Sequence, residues 1–326
     1  MKITKNLSNA IQKARPQLKH NSLNLYVTSL RTLYKRLHGD DKDEMTVDFL
    51  KDKKTVMKDI ETHCINSKKN ILTAVLVALS SEAKKDESLI EFYQLKLKEL
   101  SEKYNSFLEK QEKTDTQKNN WIEYDTFIGV INGLLEKIKK GDFLKKIKLS
   151  RPEYVLLQKY VILSFYQVFP MRNDIADMKV LTKSKYDSID KDEKNKNNYF
   201  VTEQKGFKIY LNAFKNVSRI GTKTFDIPEK LGKIVKIWLK YNKSGYLFTL
   251  GNGLSPLSPN GVTKLLNSIF LKACDGKKIS SSMLRHISIS EKLKNEPTLV
   301  EKKKEEQKTE DTYMHSSAMN EKYRKL

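Results

Sequence analysis

Toward the end of the chain stand three side chains of the types that phosphodiester chemistry uses: Arg285 in SMLRH, His315 in YMHSS and Tyr323 in NEKYRKL. Arginine grips non-bridging oxygens through a planar fork, histidine moves a proton or donates to phosphate, and a phenol can act as a covalent nucleophile. A second clamp for the same phosphate must come from upstream. Arg172 in FPMRNDIADM is the candidate.

The charge balance points the same way. Lys+Arg number 62 against Asp+Glu 40, a net +22 over 326 residues, which suits a polyanion partner because phosphate neutralisation releases counterions. Only eight of the basic residues are arginine, at positions 15, 31, 36, 151, 172, 219, 285 and 324. Where lysine is the default, an arginine set among apolar residues asks for a reason. Bidentate capture of a phosphate is one that lysine cannot meet.

Other chemistries lack material. Only His286 and His315 lie beyond residue 63, so the second half cannot build a histidine-based metal site, and its acids are scattered among lysines rather than clustered for a two-metal nuclease. No phosphate-binding or dinucleotide fingerprint is present, so neither a metal nor a cofactor is expected. Cys64 and Cys274 stand far apart with no pairing pattern, which predicts two buried free thiols in a reducing, intracellular setting. No apolar run approaches the length of a membrane span, and the N-terminus lacks a signal-peptide core.

The elements that must hold these side chains read as mainly α. Apolar residues at three- and four-residue spacing predict helices over 21–39, over 88–108 with Ser88 as cap, and in one or two short pieces over 46–65. The run 70–79 is apolar on nearly every face and suits the centre of a bundle. Residues 111–120 are polar throughout and read as a linker between a helical domain, 1–110, and a second domain, 121–326. The second domain restarts with helices over 121–147 and 152–169. It then changes period: 199–201, 207–211 and 223–227 predict a small three-stranded antiparallel sheet, making the domain α+β. Helices over 231–241, 261–273 and 280–294 follow, the last with Leu284, Ile287 and Leu293 turned inward.

In this order, Arg172, Lys215 in LNAFKNVSRIG, Arg285, His315 and Tyr323 resemble the catalytic set of the tyrosine recombinase (integrase) family, and in style its viral and mobile-element members. The resemblance implies a helical core-binding domain over 1–110 and a catalytic domain over 121–326. It implies two arginines holding the scissile phosphate, a tyrosine attacking to give a 3′-phosphotyrosyl link, a lysine protonating the departing 5′-oxygen, and no cofactor. Double-stranded DNA is the implied partner, with a dimer on one site and a tetramer in synapsis. The setting would be intracellular, with viral or mobile-element DNA. A telomere resolvase, a type IB topoisomerase-like relative and a catalytically impaired DNA-binding protein of the same fold share the pattern. Where the family has a histidine three residues before the second arginine, this chain has Ser282, which can donate to phosphate but cannot carry a proton as imidazole does. His286 falls about 100° round the helix from Arg285 and reads as a packing residue. Either Lys215 or Lys223 could reach the phosphate, and Asp174 or Asp177 could orient Arg172 through a salt bridge.

Overall fold

The structure, a computed structural model, describes residues 5–39 and 46–304. It divides into two compact units, one holding the described residues up to Glu112 together with those from Pro297 on, the other running Lys113–Glu296. Among the described residues no helix is long and apolar enough to cross a membrane.

The first unit is a bundle of α1 (Lys5–Ala14), α2 (His20–His38), α3 (Lys53–Glu61), α4 (Ile65–Leu79) and α5 (Glu87–Glu109). Helix α2 buries Leu23, Val27, Leu30, Leu33 and Tyr34, one stripe at helical spacing, and ends at Gly39, whose φ of 77° few other residues adopt readily. Helix α4 buries residues on more than one face, from Ile71 to Leu79, and packs against both α2 and α5. Helix α1, not foreseen in the sequence, adds Leu7 and Ile11 to the core. The cap of α5 is Asp86 rather than Ser88: its carboxylate accepts the Leu89 N–H at 3.0 Å, the reach a capping side chain has three residues ahead. At the far end of α5 the chain returns from the second unit. There Lys303 Nζ lies 2.8 Å from Glu109 Oε1, and the Leu299 N–H donates to Gln111 Oε1 at 2.8 Å.

The second unit opens inside the polar stretch read as a linker, where α6 (Asp115–Asn120) forms behind a capping box of Thr114 and Gln117. Then come α7 (Tyr124–Lys140), α8 (Arg151–Val168), β1 (Lys179–Thr182), α9 (Lys183–Ser188), α10 (Lys191–Lys196), β2 (Tyr199–Glu203), β3 (Gly206–Leu211), α11 (Val217–Ile220), β4 (Lys223–Asp226), α12 (Glu229–Tyr241), α13 (Pro259–Ala273) and α14 (Ser281–Lys292). Phe127, Phe165, Phe200, Trp238, Phe248 and Phe270 are fully buried in one core under these helices. Buried Gln158 of α8 meets the Thr249 backbone twice, at 2.9 Å each way, and so leaves neither amide group wanting a partner.

The sheet has four strands, not three, and is mixed. Strands β2, β3 and β4 pair antiparallel, while β1 pairs parallel to β2, Lys179 opposite Tyr199. A parallel neighbour needs a crossover, and α9 and α10 supply it. Strand β1 was missed because its sequence, KVLT, offers only two apolar residues, and its pairing partner lies 20 positions away. Tyr199, Phe200 and Val201 of β2 are all buried because the strand is covered on both faces: Phe200 joins the main core, while Tyr199 and Val201 meet Tyr186.

Two local expectations also change. Cys64 is exposed, while Cys274 is buried as expected. Leu293 points outward at 43% exposure, whereas Leu284 and Ile287 turn into the core as expected.

Candidate active site

Helix α8 ends at Val168, and Pro170 prevents its continuation because the ring removes a donor and clashes with the preceding turn. The chain passes through Arg172 in extended conformation and into a short 3₁₀ turn, Asn173–Ile175. Asn198 Nδ2 donates to the Asp174 carbonyl of this turn at 3.0 Å, and further contacts hold it. Ile175 and Ala176 are buried in the core. The buried Tyr166 hydroxyl of α8 donates to Asn173 Oδ1 at 2.8 Å. Asn173 Nδ2 donates to the Pro259 carbonyl at 2.7 Å and to Thr263 Oγ1 at 2.9 Å, tying the turn to the first turn of α13.

Arg172 opens onto a cleft of about 590 Å³. Its walls are Asn173, Asp174 and Asp177 after Arg172, Asn198 and Ala213 at one end of the β2–β3 pair, Pro259 and Thr263 of α13, and Ser280, Ser281 and Ser282 at the start of α14. Ser280 caps α14, its Oγ accepting the Met283 N–H at 3.4 Å. The first N–H groups of a helix have no partner within it, so this turn offers backbone donors and the positive end of a helix dipole. With a guanidinium beside it, the arrangement suits a bound anion.

Arg285 lies one turn into α14, half-buried, with Nη2 3.5 Å from Ser282 Oγ, the long limit of a hydrogen bond. Ser282 itself lines the cleft, so Arg285 meets the cleft wall through that contact. Among the described residues neither Arg172 nor Arg285 takes part in an ion pair. Both nonetheless act on one carboxyl. Burial pushes the Asp174 pKa up, and the charges of Arg172 and then Arg285 draw it back down, while Asp177 opposes them. Tyr166 is also raised by burial and senses Asp174 and Arg285 in turn. Two guanidinium groups 113 positions apart are thus brought to bear on one corner of the cleft.

The Asp174 result carries a pH dependence. The folded chain holds this proton more tightly than the unfolded one, so stability falls as pH rises from the ordinary aspartate range through the raised pKa, then levels off. Asp174→Asn removes the charged form and is expected to raise the thermal midpoint at pH 7. That gain should vanish below about pH 3.8, where the unfolded side chain is also protonated. Thermal unfolding of both chains across that range checks it.

Several expected placements are revised. Asp174 makes no salt bridge with Arg172 among the described ion pairs; its side chain is half-buried and feels the arginine's charge at longer range. Asp177 is exposed on the cleft wall. His286 is exposed, not packed, because the buried positions of α14 are Ser281, Met283, Leu284 and Ile287. Lys215 does not end a strand. Strand β3 stops at Leu211, and Lys215 sits exposed on the connection to β4, beside Phe214, which packs against the core. Lys223 is exposed at the start of β4, opposite Leu211. Both lysines therefore lie toward the end of the sheet where Ala213 meets the cleft. Lys205, in the β2–β3 turn, lies at the other end of β2, some five residues or about 17 Å away at strand rise. His315 and Tyr323 lie outside the described residues.

Sequence reasoning missed Tyr166, Asn173 and Asn198. The first reads as one more apolar-face aromatic of α8, and the asparagines read as loop residues. No spacing in the sequence marks them. A second groove of about 520 Å³ holds Arg151 with Lys148 and Lys240, but Arg151 begins α8 while Arg172 follows its end, roughly 27 Å away at helical rise. The two arginines cannot share a phosphate. Among the described residues no group of three His, Cys, Asp or Glu side chains could hold a metal ion.

No family model matches this chain, and no curated protein matches it either. Among solved structures, the crystal structure of XerA recombinase aligns over 91% of this chain and 89% of its own, at 12% identity and a TM-score of 0.34.

Proposed function

We propose that this chain cleaves and rejoins double-stranded DNA through a 3′-phosphotyrosyl intermediate, as a tyrosine-type site-specific recombinase or integrase. The observation that carries the reading is the cleft where Arg172, free of any ion pair among the described residues, meets the first turn of α14, with Arg172 and Arg285 both acting on the half-buried Asp174 carboxyl. Fixed positive donors aimed at one point stabilise the charge that gathers on phosphate oxygens during displacement, and they need no reorganisation to do so.

The roles are those the family resemblance implies. Arg172, Arg285 and the α14 amides hold the scissile phosphate, with Ser282 and His315 as further donors. The Tyr323 oxygen bonds to phosphorus and its proton leaves to solvent. The bond from phosphorus to O5′ breaks, and Lys215 gives its proton to that oxygen. Bond energy is conserved in the protein–DNA ester, so rejoining needs no nucleotide. Net charge of +22 supplies sequence-independent affinity for the duplex. Assembly as a dimer on one site and a tetramer in synapsis belongs to this reading.

The test is a pool of randomised duplexes, each carrying a nick that lets the short 5′-hydroxyl strand diffuse away after cleavage. The full chain is expected to yield an SDS-resistant, protease-sensitive adduct at a DNA 3′ end, whose sequencing gives the preferred site. Duplex that is bound but never covalently attached would overturn the enzyme reading in favour of a DNA-binding protein. A hairpin product would redirect it toward a telomere resolvase.

A further inference from the structure

Tyr166 of α8 is wholly buried, yet both side chains that its hydroxyl meets stand on the wall of the cleft. The O–H donates to Asn173 Oδ1 at 2.8 Å. Burial pushes the phenol pKa up, and a hydrogen bond with Ser281, itself buried in the first turn of α14, draws it back down. With its proton committed to Asn173, the phenolic oxygen is free to accept from the serine. Asn173 continues the chain, its Nδ2 donating to the Pro259 carbonyl at 2.7 Å and to Thr263 Oγ1 at 2.9 Å. One hydroxyl thus stands where α8, the turn after Arg172 and the first turn of α14 meet, with α13 one bond further on.

Core filling alone does not ask for that oxygen. Phe165, beside it on α8, is buried as completely without one. A hydroxyl left unpaired in a core is costly, so the phenol is tolerated because it finds both partners, and both belong to the segments that carry the two arginines. Arg172 immediately precedes the Asn173 turn, and Arg285 lies one turn beyond Ser281. Those segments share no strand pairing to hold them in step. Two planar forks that grip one phosphate must nonetheless keep their spacing to within about 0.5 Å.

We infer that Tyr166 is a positioning residue whose hydroxyl locks the Arg172 turn to the first turn of α14, setting the spacing at which two guanidinium groups meet one phosphate. This role rests on the phosphodiester-transfer reading given above. Tyr166 is buried behind the cleft wall and meets no substrate atom, so it acts only through the segments it joins. Loss of the oxygen leaves the ring and its packing in place. The resulting defect should therefore follow the negative charge on the phosphate, which is what the clamp neutralises.

The experiment compares two nicked duplexes of the preferred site, one ordinary and one with a methylphosphonate at the scissile position, where a methyl group replaces a non-bridging oxygen and removes the charge. Tyr166→Phe is expected to slow single-turnover cleavage of the ordinary duplex by about 10–10²-fold, the scale of an ångström-level misplacement, and to cleave the neutral duplex within about threefold of wild type. Ser281→Ala breaks the bond from the α14 side, should show the same pattern, and covers the case where the phenylalanine chain does not fold. Tyr166→Phe combined with Asn173→Ala should be slower than the slower single variant by no more than about threefold, because members of one hydrogen-bond network do not add. Equal slowing on both duplexes would overturn the role and leave Tyr166 a packing residue. So would an unimpaired rate on the ordinary duplex. If wild type cleaves the ordinary duplex alone, the double variant decides, and fully additive losses overturn the role. A wild-type chain that cleaves neither duplex removes the enzyme reading itself, and the positioning role with it.

Discussion

Tyr323→Phe should abolish the covalent adduct, a loss on the order of 10⁴-fold or more, while duplex affinity changes by less than about twofold. The substitution removes one oxygen and no charge. Affinity for a duplex is set by the number of phosphates neutralised, which this change leaves alone. The covalent step, in contrast, finds no substitute in the phenol beside the cleft. Tyr166 donates to Asn173 there, but it is buried and its pKa is raised, so it holds its proton against becoming a nucleophile. Quantitative adduct capture on the nicked duplex, with binding measured on the same intact duplex, separates the two effects. A persistent adduct would mean that another of the 15 tyrosines attacks.

Arg172→Lys keeps the formal charge and loses the planar fork, and is expected to cut single-turnover cleavage by about 10²–10³-fold, the scale seen when one transition-state donor is removed. Duplex affinity should hold within about threefold because net charge stays at +22. The fold should be unaffected. Among the described residues Arg172 makes no ion pair, and its turn is held instead by Asn173, Ile175 and Ala176. The three measurements are a cleavage time course, a binding isotherm and a thermal midpoint. Cleavage within about fivefold of wild type would remove Arg172 from the phosphate clamp.

The helical part of the fold was legible because its signal is local. The stripe of α2 and the all-round apolarity of α4 and α8 are written at three- and four-residue spacing, and the structure buries those positions. Strand β1 was not legible. Its four residues include two polar ones, and what makes them a strand is a parallel partner reached only after α9 and α10. Arg172 and Arg285 stood out by scarcity in a lysine-rich chain, and the structure brings both to bear on Asp174. The parts that hold them in register did not stand out. Asn173 and Asn198 work through backbone carbonyls and amides, whose positions depend on the finished fold rather than on neighbouring side-chain types. His286 was misjudged from its angle alone: an offset of about 100° from Arg285 was read as facing the core, but the buried face of α14 is the one that carries Ser281, Met283, Leu284 and Ile287.

The path of the chain between the two units sets an order on synthesis. Among the described residues the buried core of the helical bundle ends at Tyr93, so it can assemble while the ribosome is still making the unit that comes after it. The described return at 297–304 arrives only after the whole of Lys113–Glu296 has emerged, and its contacts at the tip of α5 include the Lys303–Glu109 ion pair and the Leu299–Gln111 amide contact. A nascent chain can therefore bury both described cores before the return at 297–304 has been made.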